Sequence, residues 1–244
     1  MYGLIGKKLI HSFSADFFNK KFQQEGINEE YRLFPIPDLD DLPLLLALNP
    51  DLKGLNVTIP YKQKVIPYLS ELSEEAKNIG AVNVIKVVYK NEKIILKGYN
   101  SDCIGFKNSL VPLLNNDIKK ALILGTGGAS KAVAYVLECL GIAYKFVSRS
   151  PKEGQLSYSE LSSDVLSKTL LIVNTTPLGM FPNVDEYPPI PYHLLTPKHL
   201  CYDLVYNPEE TQFMKIARSY GAKVKNGLEM LELQALAAWD IWTK

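Results

Sequence analysis

The chain has 244 residues, and 47% of them are hydrophobic, which is enough to form one large or two small cores. Because 27 basic and 26 acidic residues leave a net charge of +1, no long-range field favours nucleic acid or a membrane surface as a partner. The apolar run Leu42–Leu48 contains Pro43 and is too short to span a bilayer. The N-terminus lacks the residue order of a signal peptide. These features predict a cytoplasmic protein that acts on small molecules.

The cysteines and histidines are few and widely spaced. An odd number of scattered cysteines indicates reduced thiols rather than a disulfide framework or a zinc site. The histidines are equally scattered and suggest no metal site. The residues concerned are Cys103, Cys139, Cys201, His11, His193 and His199.

The N-terminal part of the chain alternates short β-rich runs with helical ones, which predicts an α/β domain with a mixed sheet. The predicted strands are Tyr2–Gly6, Tyr31–Ile36, Leu52–Ile59 and a hairpin of Ala81–Tyr89 with Ile94–Lys97. The predicted helices are Ser14–Glu25 with Ser14 as N-cap, Leu39–Leu48, Ser73–Asn78, and one that opens at Gly98–Asp102 and ends near Leu114.

Polar side chains gather at the end of the third predicted strand. Asn56 and Thr58 are two residues apart, so both side chains leave the same face of the strand. Pro60 then ends the strand and suits the first turn of a helix, and Lys62 follows at the mouth of that turn. This arrangement favours a site for a small, oxygenated substrate. The alternative is a polar loop with an ordinary surface lysine.

From Lys120 onward a regular β-α-β series predicts a doubly wound, Rossmann-like parallel sheet with helices on both faces. Its predicted strands are Ala121–Leu124, Tyr144–Val147, Leu170–Val173 and Leu200–Asp203. The last predicted helix is Leu228–Trp242, and Gln234 lies on its apolar stripe. A glutamine on a packing stripe needs a partner, either a backbone group or a ligand.

The first strand of this series runs directly into Gly125-Thr126-Gly127-Gly128-Ala129-Ser130 and a long apolar helix. A strand, a glycine turn and a helix together predict a dinucleotide site, because Gly127 lets a pyrophosphate approach the backbone and small Ser130 allows close helix packing. The first N–H groups of the helix then face the phosphates. A purely structural turn is the alternative.

The next two strand ends carry further candidates for cofactor contacts. The second strand ends at Ser148-Arg149-Ser150, where a site selective for NAD would usually have an acidic residue. An arginine between two hydroxyls suits a 2′-phosphate and favours NADP, although a solvated loop arginine is the alternative. After the third strand, the loop Asn174-Thr175-Thr176-Pro177-Leu178-Gly179 is either shaped against the nicotinamide or its ribose, or an ordinary connection.

These motifs and their order resemble those of the shikimate dehydrogenases, the NADP-dependent reductases of the shikimate pathway, over nearly the whole chain. In the stretch Gly6–Ser14, the resemblance assigns Ser12 and Ser14 to the substrate carboxylate. It makes Lys62 and Asp102 the catalytic pair. The other residues that it assigns to the substrate are Asn56, Thr58, Asn83, Tyr206 and Gln234, and it adds Val205 and Gly227 to the cofactor contacts.

The resemblance implies a substrate domain of residues 1–101 with 226–244, to which the C-terminal helix returns, and an NADP domain of residues 102–225. The implied reaction is the reversible, NADPH-dependent reduction of 3-dehydroshikimate to shikimate by a monomer or homodimer, without metal. Departures from the family pattern are Lys8 and Ala15 in place of prolines, Phe18 in place of histidine and Ser148 in place of asparagine. They concern the affinity for substrate and adenosine more than the reaction type.

Three other functions fit the same architecture. An NAD-preferring quinate/shikimate dehydrogenase is the nearest alternative. A catalytically silent, ligand-binding relative would have no need for Lys62 and Asp102. A dehydrogenase acting on folate would give no reason for the paired serines Ser12 and Ser14.

Overall fold

The computed structural model describes residues 1–9, 12–91 and 93–244. Ile10 and His11 of the predicted substrate motif, and Glu92 of the predicted hairpin turn, lie outside the described residues. Contacts within the chain define two compact units. The first comprises Met1–Ile104 and Gln234–Lys244, and the second comprises Gly105–Leu233.

The first unit is built on a mixed sheet. Its strands are β1 (Tyr2–Gly6), β2 (Tyr31–Pro35), β3 (Gly54–Val57), β4 (Glu71–Leu72), β5 (Val84–Lys90) and β6 (Lys93–Tyr99). Its helices are α1 (Phe13–Glu25), α2 (Leu42–Leu48), α3 (Tyr61–Lys64) and α4 (Glu74–Ile79), and α5 (Asp102–Leu110) begins in it.

The strand order of this sheet is β2-β1-β3-β5-β6-β4. Strand β1 is parallel to β2 and β3, β5 is antiparallel to β3 and β6, and β4 is parallel to β6. One core cluster is aliphatic and includes α2. A second cluster is aromatic and joins α1 to the C-terminal helix, whose Trp242 donates from Nε1 to the carbonyl of Ile85 at 3.0 Å.

The second unit is built on a parallel sheet. Its strands are β7 (Lys120–Leu124), β8 (Ala143–Ser148), β9 (Leu156–Ser157), β10 (Leu171–Asn174), β11 (Leu200–Asp203) and β12 (Lys223–Lys225). Its helices are α6 (Gly128–Cys139), α7 (Ser163–Ser167) and α8 (Gln212–Ser219), and α9 (Leu228–Thr243) begins in it. Within the described ranges, no helix combines the length and apolar character needed to cross a membrane.

The strand order of the second sheet is β12-β11-β10-β7-β8-β9. The chain leaves β7 for β8 on one side and later returns to β10 on the other side, so the order reverses between β7 and β10. Ligands of open α/β sheets bind outside the carboxyl ends of the strands at such a switch point. The mixed and parallel sheets confirm the predicted pair of α/β folds.

Several predicted boundaries were wrong for identifiable reasons. Helix α1 begins at Phe13 with Ser12 as N-cap, not with Ser14. Helix α5 ends at Leu110 rather than near Leu114 and continues as a 3₁₀ turn over Val111–Leu113, because Pro112 has no N–H to donate to an α-helical carbonyl. The predicted helix Leu39–Leu48 is a short 3₁₀ turn followed by α2. Strand β3 is shorter than the predicted Leu52–Ile59.

Candidate active site and cofactor site

Lys62 and Asp102 form the central ion pair of the first unit. Lys62 lies in α3, and its backbone carbonyl accepts from the N–H of Val82 at 2.7 Å, which fixes the start of that helix. Asp102 is the first residue of α5, where the helix dipole favours a negative charge. The Nζ atom of Lys62 lies 2.6 Å from Oδ2 of Asp102. With side-chain exposures of 21% and 10%, the pair is shielded yet reachable by a ligand.

The amide of Asn83 holds the other oxygen of Asp102. Its Nδ2 donates to Oδ1 of Asp102 at 2.8 Å and to Oγ of Ser101 at 3.0 Å, and its Oδ1 accepts from the Ser101 N–H at 2.7 Å. Both amide hydrogens of Asn83 therefore have partners, and one acceptor site remains on Oδ1. The hydroxyl of Ser101 donates in turn to Oε1 of Gln234 at 3.3 Å.

Asn56 is oriented by a residue that the sequence analysis missed. The hydroxyl of Tyr31 donates to Oδ1 of Asn56 at 2.7 Å, and Nδ2 of Asn56 donates to the Asn83 carbonyl at 3.3 Å. Burial raises the pKa of Tyr31, and a hydrogen bond with the Ser14 side chain opposes that rise. Tyr31 thus connects two predicted substrate residues. A tyrosine in a predicted buried strand was the available signal, because a buried phenol needs a partner.

The remaining predicted substrate residues are less closely connected. The side chain of Ser12 accepts from the N–H of Ala15 at 3.4 Å as the cap of α1, and Ser14 is the second residue of that helix. Thr58 directly follows β3, and its N–H donates to the Ile5 carbonyl at 3.0 Å. The structure brings Asn56, Asn83, Ser101, Asp102 and Gln234 into one hydrogen-bonded group with Lys62. Tyr206 belongs to the second unit.

The glycine turn of the second unit lies between β7 and α6. Gly125 has a φ of +102°, which side chains rarely adopt, and its N–H donates to the Val147 carbonyl at 2.9 Å. Gly127 is the N-cap of α6 and has no side chain to cap the first N–H groups of the helix. Oγ of Ser130 donates back to the Gly127 carbonyl at 2.6 Å. The first backbone N–H groups at the N-terminal end of α6 therefore have no side-chain cap and can donate to a ligand.

Arg149 lies at the end of β8 and is exposed. Within the part of the chain that the structure describes, its guanidinium has no ion pair or hydrogen bond. The charge of Arg149 acts on Tyr158: burial raises the pKa of Tyr158, and the positive charge of Arg149 opposes that rise. The Ser148 hydroxyl accepts from the Ser150 N–H at 3.2 Å, which closes the turn around the arginine.

The loop after β10 packs against the glycine turn. An added Cβ at Gly125 would lie 3.0 Å from both Oγ1 of Thr175 and Cγ2 of Thr176. Thr175 donates from Oγ1 to the Leu124 carbonyl at 2.6 Å. The loop continues through Leu178 and Gly179 as a turn that is closed by the N–H of Met180 on the Pro177 carbonyl at 3.1 Å.

Asn174 and Gly227 have structural tasks within the second unit. Asn174 is fully buried, so its side chain can influence a ligand only through other residues. Gly227 donates from its N–H to the Val205 carbonyl at 3.1 Å, and an added Cβ there would lie 2.1 Å from the carbonyl oxygen of Leu204. Only glycine permits this close approach of two backbone segments.

These features fit NADP. The N-terminal end of α6 at Gly127 has no side-chain cap, and an added Cβ there would have no heavy atom within 4 Å. Arg149 is exposed and has no partner among the described residues. The first two features leave room and donors for a pyrophosphate, and the third suits a 2′-phosphate. A parallel sheet with such a turn at its switch point is typical of α/β oxidoreductases that use a dinucleotide.

Comparisons with known proteins identify the family. A family model described as the shikimate dehydrogenase substrate binding domain matches residues 4–85. The shikimate dehydrogenase (NADP(+)) of Desulforamulus reducens is 38% identical over an alignment of 265 residues, gaps included. The alignment covers 99% of this chain and 89% of that protein. The chain therefore belongs to the shikimate dehydrogenase family.

Solved structures agree with this assignment. A chorismate mutase/shikimate 5-dehydrogenase fusion protein from Clostridium acetobutylicum matches with a TM-score of 0.86 and 39% identity, covering 99% of this chain and 90% of that chain. Quinate dehydrogenase from Corynebacterium glutamicum, solved in complex with NAD, matches with a TM-score of 0.87 and 28% identity, covering 99% and 93%. The fold alone therefore does not separate these two kinds of dehydrogenase.

Substitution by alanine should have different effects on stability at Gly127, in the glycine turn, and at Gly227, directly before α9. Gly127→Ala should change the free energy of unfolding by less than about 0.5 kcal/mol, because the added Cβ meets open space. The same methyl group should weaken dinucleotide binding, since it occupies the approach to the helix end. Gly227→Ala should cost about 1–3 kcal/mol or more through overpacking against Leu204. Denaturant unfolding and NADP titration of both variants test this contrast, and equal stability losses would contradict it.

Proposed function

We propose that the chain is a shikimate dehydrogenase that catalyses the reversible, NADPH-dependent reduction of 3-dehydroshikimate to shikimate. The observation that carries this proposal is the Lys62–Asp102 pair, whose atoms lie 2.6 Å apart beside Asn56, Asn83 and Gln234. The names of full-length relatives in the same family support the substrate and the cofactor.

Reduction of a ketone places negative charge on the carbonyl oxygen, which must gain a proton. When bound, NADPH supplies the hydride for this step. The Lys62 ammonium donates the proton and stabilises the developing charge, while Asp102 holds the ammonium in place. Asn83 fixes the Asp102 carboxylate from the opposite side.

The substrate contacts follow from the hydrogen-bonding capacity that remains. Asn83 has both amide hydrogens engaged, so it can only accept from a substrate hydroxyl through Oδ1. Asn56 keeps one amide hydrogen free and can donate. Ser12 and Ser14 are proposed to bind the substrate carboxylate. Thr58, Tyr206 and Gln234 are proposed as further substrate contacts.

On the cofactor side, the α6 helix end binds the pyrophosphate and Arg149 binds the 2′-phosphate. Thr175 and Thr176 pack against the glycine turn. The loop residues Thr175, Thr176, Leu178 and Gly179 are proposed to contact the nicotinamide half. Val205 and Gly227 are proposed to complete that side of the site. The buried Asn174 is proposed to support this part of the site by accepting a hydrogen bond from Thr176.

The proposed domains are residues 1–101 with 226–244 for substrate and 102–225 for NADP. We propose a monomer or homodimer in the cytoplasm. Its three cysteines are free thiols, as is usual in a reducing compartment. Burial raises the pKa values of Cys103 and Cys201 to about 12, which makes these two unreactive.

The activity is tested by absorbance at the nicotinamide band with shikimate or quinate and with NADP or NAD, in all four combinations. Shikimate with NADP should react fastest, and a tenfold preference for NAD or for quinate would favour the quinate/shikimate alternative.

Lys62→Met should lower kcat roughly a hundred- to ten-thousandfold, because a positioned proton donor is lost. The KM for shikimate should change much less, since the other contacts remain. A large KM effect with kcat intact would make Lys62 a binding residue only.

The preference for NADP is tested at Arg149. Arg149→Asp should raise the KM for NADP about ten- to a hundredfold through loss of a charge-assisted phosphate contact. The KM for shikimate should remain near its original value. Lys215→Asp, an exposed residue of α8, changes the net charge equally and serves as the control. Unaltered NADP kinetics in Arg149→Asp, or an equal loss in the control, would refute the 2′-phosphate assignment.

A further inference from the structure

Asp203, at the carboxyl end of β11, is a fully buried carboxylate outside the proposed catalytic pair. It accepts three hydrogen bonds, from Asn174 Nδ2 at 2.9 Å, the Val205 N–H at 3.0 Å and Thr211 Oγ1 at 2.6 Å. These donors come from the end of β10, the segment after β11 and the N-cap of α8. Asp203 therefore joins three segments at the carboxyl edge of the parallel sheet.

An ionised carboxylate can only accept hydrogen bonds, and this fixes the direction of the chain of bonds that starts from it. Asn174 must turn its amide hydrogens toward Asp203 and its Oδ1 toward Thr176. That oxygen accepts from the Thr176 N–H at 3.0 Å and from Thr176 Oγ1 at 2.6 Å. The hydroxyl hydrogen of Thr176 is therefore directed inward. Its oxygen accepts from the Leu178 N–H at 3.4 Å and keeps one lone pair.

Of the three hydrogen-bonded residues Asp203, Asn174 and Thr176, Thr176 is the one that a cofactor can reach. Its side chain is half-buried and its methyl group packs against Gly125 of the glycine turn, whereas Asn174 and Asp203 have no exposed surface. Any influence of Asp203 on a ligand at this edge must pass through Thr176 or through the backbone that it fixes.

We propose that Asp203 is a positioning residue of the cofactor site, which sets the direction of the Asp203–Asn174–Thr176 chain so that the Thr176 hydroxyl accepts a hydrogen bond from the cofactor. This inference rests on the proposed use of NADP. The matching donor is an O–H or N–H group of the nicotinamide half, from the ribose or from the carboxamide.

The Thr176 N–H favours this orientation of the Asn174 amide, and the charge on Asp203 strengthens it. Burial raises the pKa of Asp203 to about 6, against the lowering effect of its three donors, so the group is ionised at neutral pH. The titratable groups that face it are Cys201 and Tyr192, and burial raises both of their pKa values, which leaves them uncharged. As the pH falls through about 6, Asp203 gains a proton on Oδ2, loses the charge that strengthens the hydrogen bond from Asn174 to Oδ1, and holds the Asn174 amide less firmly.

The test is direct NADP binding by calorimetry, without substrate, together with thermal unfolding. Asp203→Asn and Thr176→Val should each weaken NADP binding about three- to tenfold at neutral pH, the effect of one hydrogen bond. Thr176→Ser should restore the affinity.

Adenosine 2′,5′-bisphosphate, which lacks the nicotinamide half, should bind all variants equally. An NADP analogue with acetyl in place of the carboxamide separates the two donors, because it loses affinity for the wild type only if the carboxamide donates.

A pH series tests the charge itself. Because a phosphate monoester also titrates near pH 6, the quantity to compare is the ratio of wild-type to Asp203→Asn affinity at each pH. That ratio should approach one as the pH falls from about 7.5 to below 6. A ratio that stays constant would contradict the role of the charge.

Ser109→Ala is the structural control, because Ser109 is buried in the same unit and bonds to the Tyr202 hydroxyl at 2.7 Å. It should lower stability and leave NADP binding unchanged. If Asp203→Asn and Thr176→Val lower only the melting temperature, the inference is wrong. Should Asp203→Asn fail to fold, Thr211→Val takes its place, because losing this donor raises the pKa of Asp203 and should move the loss of NADP affinity to a higher pH than in the wild type. An unshifted pH dependence in Thr211→Val would contradict the inference. Wild-type protein that does not bind NADP would refute the proposed function itself, whereas wild-type binding with indifferent variants refutes the inference alone.

Discussion

The arrangement of the substrate unit depends on the carboxylate of Asp102. A shielded charge must be matched on all sides, and Asp102 is matched by the Lys62 ammonium, by the Asn83 amide and by the start of α5. This ties together three distant segments of the chain. The same interaction that satisfies a structural requirement therefore also orients Lys62, the proposed proton donor.

The sequence predicts the architecture well because apolar periodicity reflects the core directly. The bounds of β1 and β11 match their predicted ranges, since each is a short apolar run with turn residues at both ends. The start of α1 was harder, because Ser12 and Ser14 are both good caps and only the folded backbone selects Ser12. Short edge elements such as β9 and β12 lack a pattern of their own and depend on their neighbours.

The sequence alone leads to a proposal for the chemistry of the site where residue type and local order carry it, as for Lys62 and the glycine turn. Its supporting network was not. Tyr31 bonds to Asn56, 25 residues away, and Ser101 bonds to Gln234, 133 residues away. Such pairs are created by the fold, and a single sequence contains no periodic signal for them. Asn83 and Asn174 also support neighbouring residues, Asp102 and Thr176 respectively, which the sequence did not reveal.

The most direct test of this account is a double-mutant cycle on kcat/KM for shikimate with Lys62→Met and Asp102→Asn. If Asp102 acts by holding the Lys62 ammonium, the double variant should be little worse than either single variant, because residues that act as a unit are not additive. Losses that multiply in the double variant would show that the two residues act independently and would contradict the proposed role of the pair.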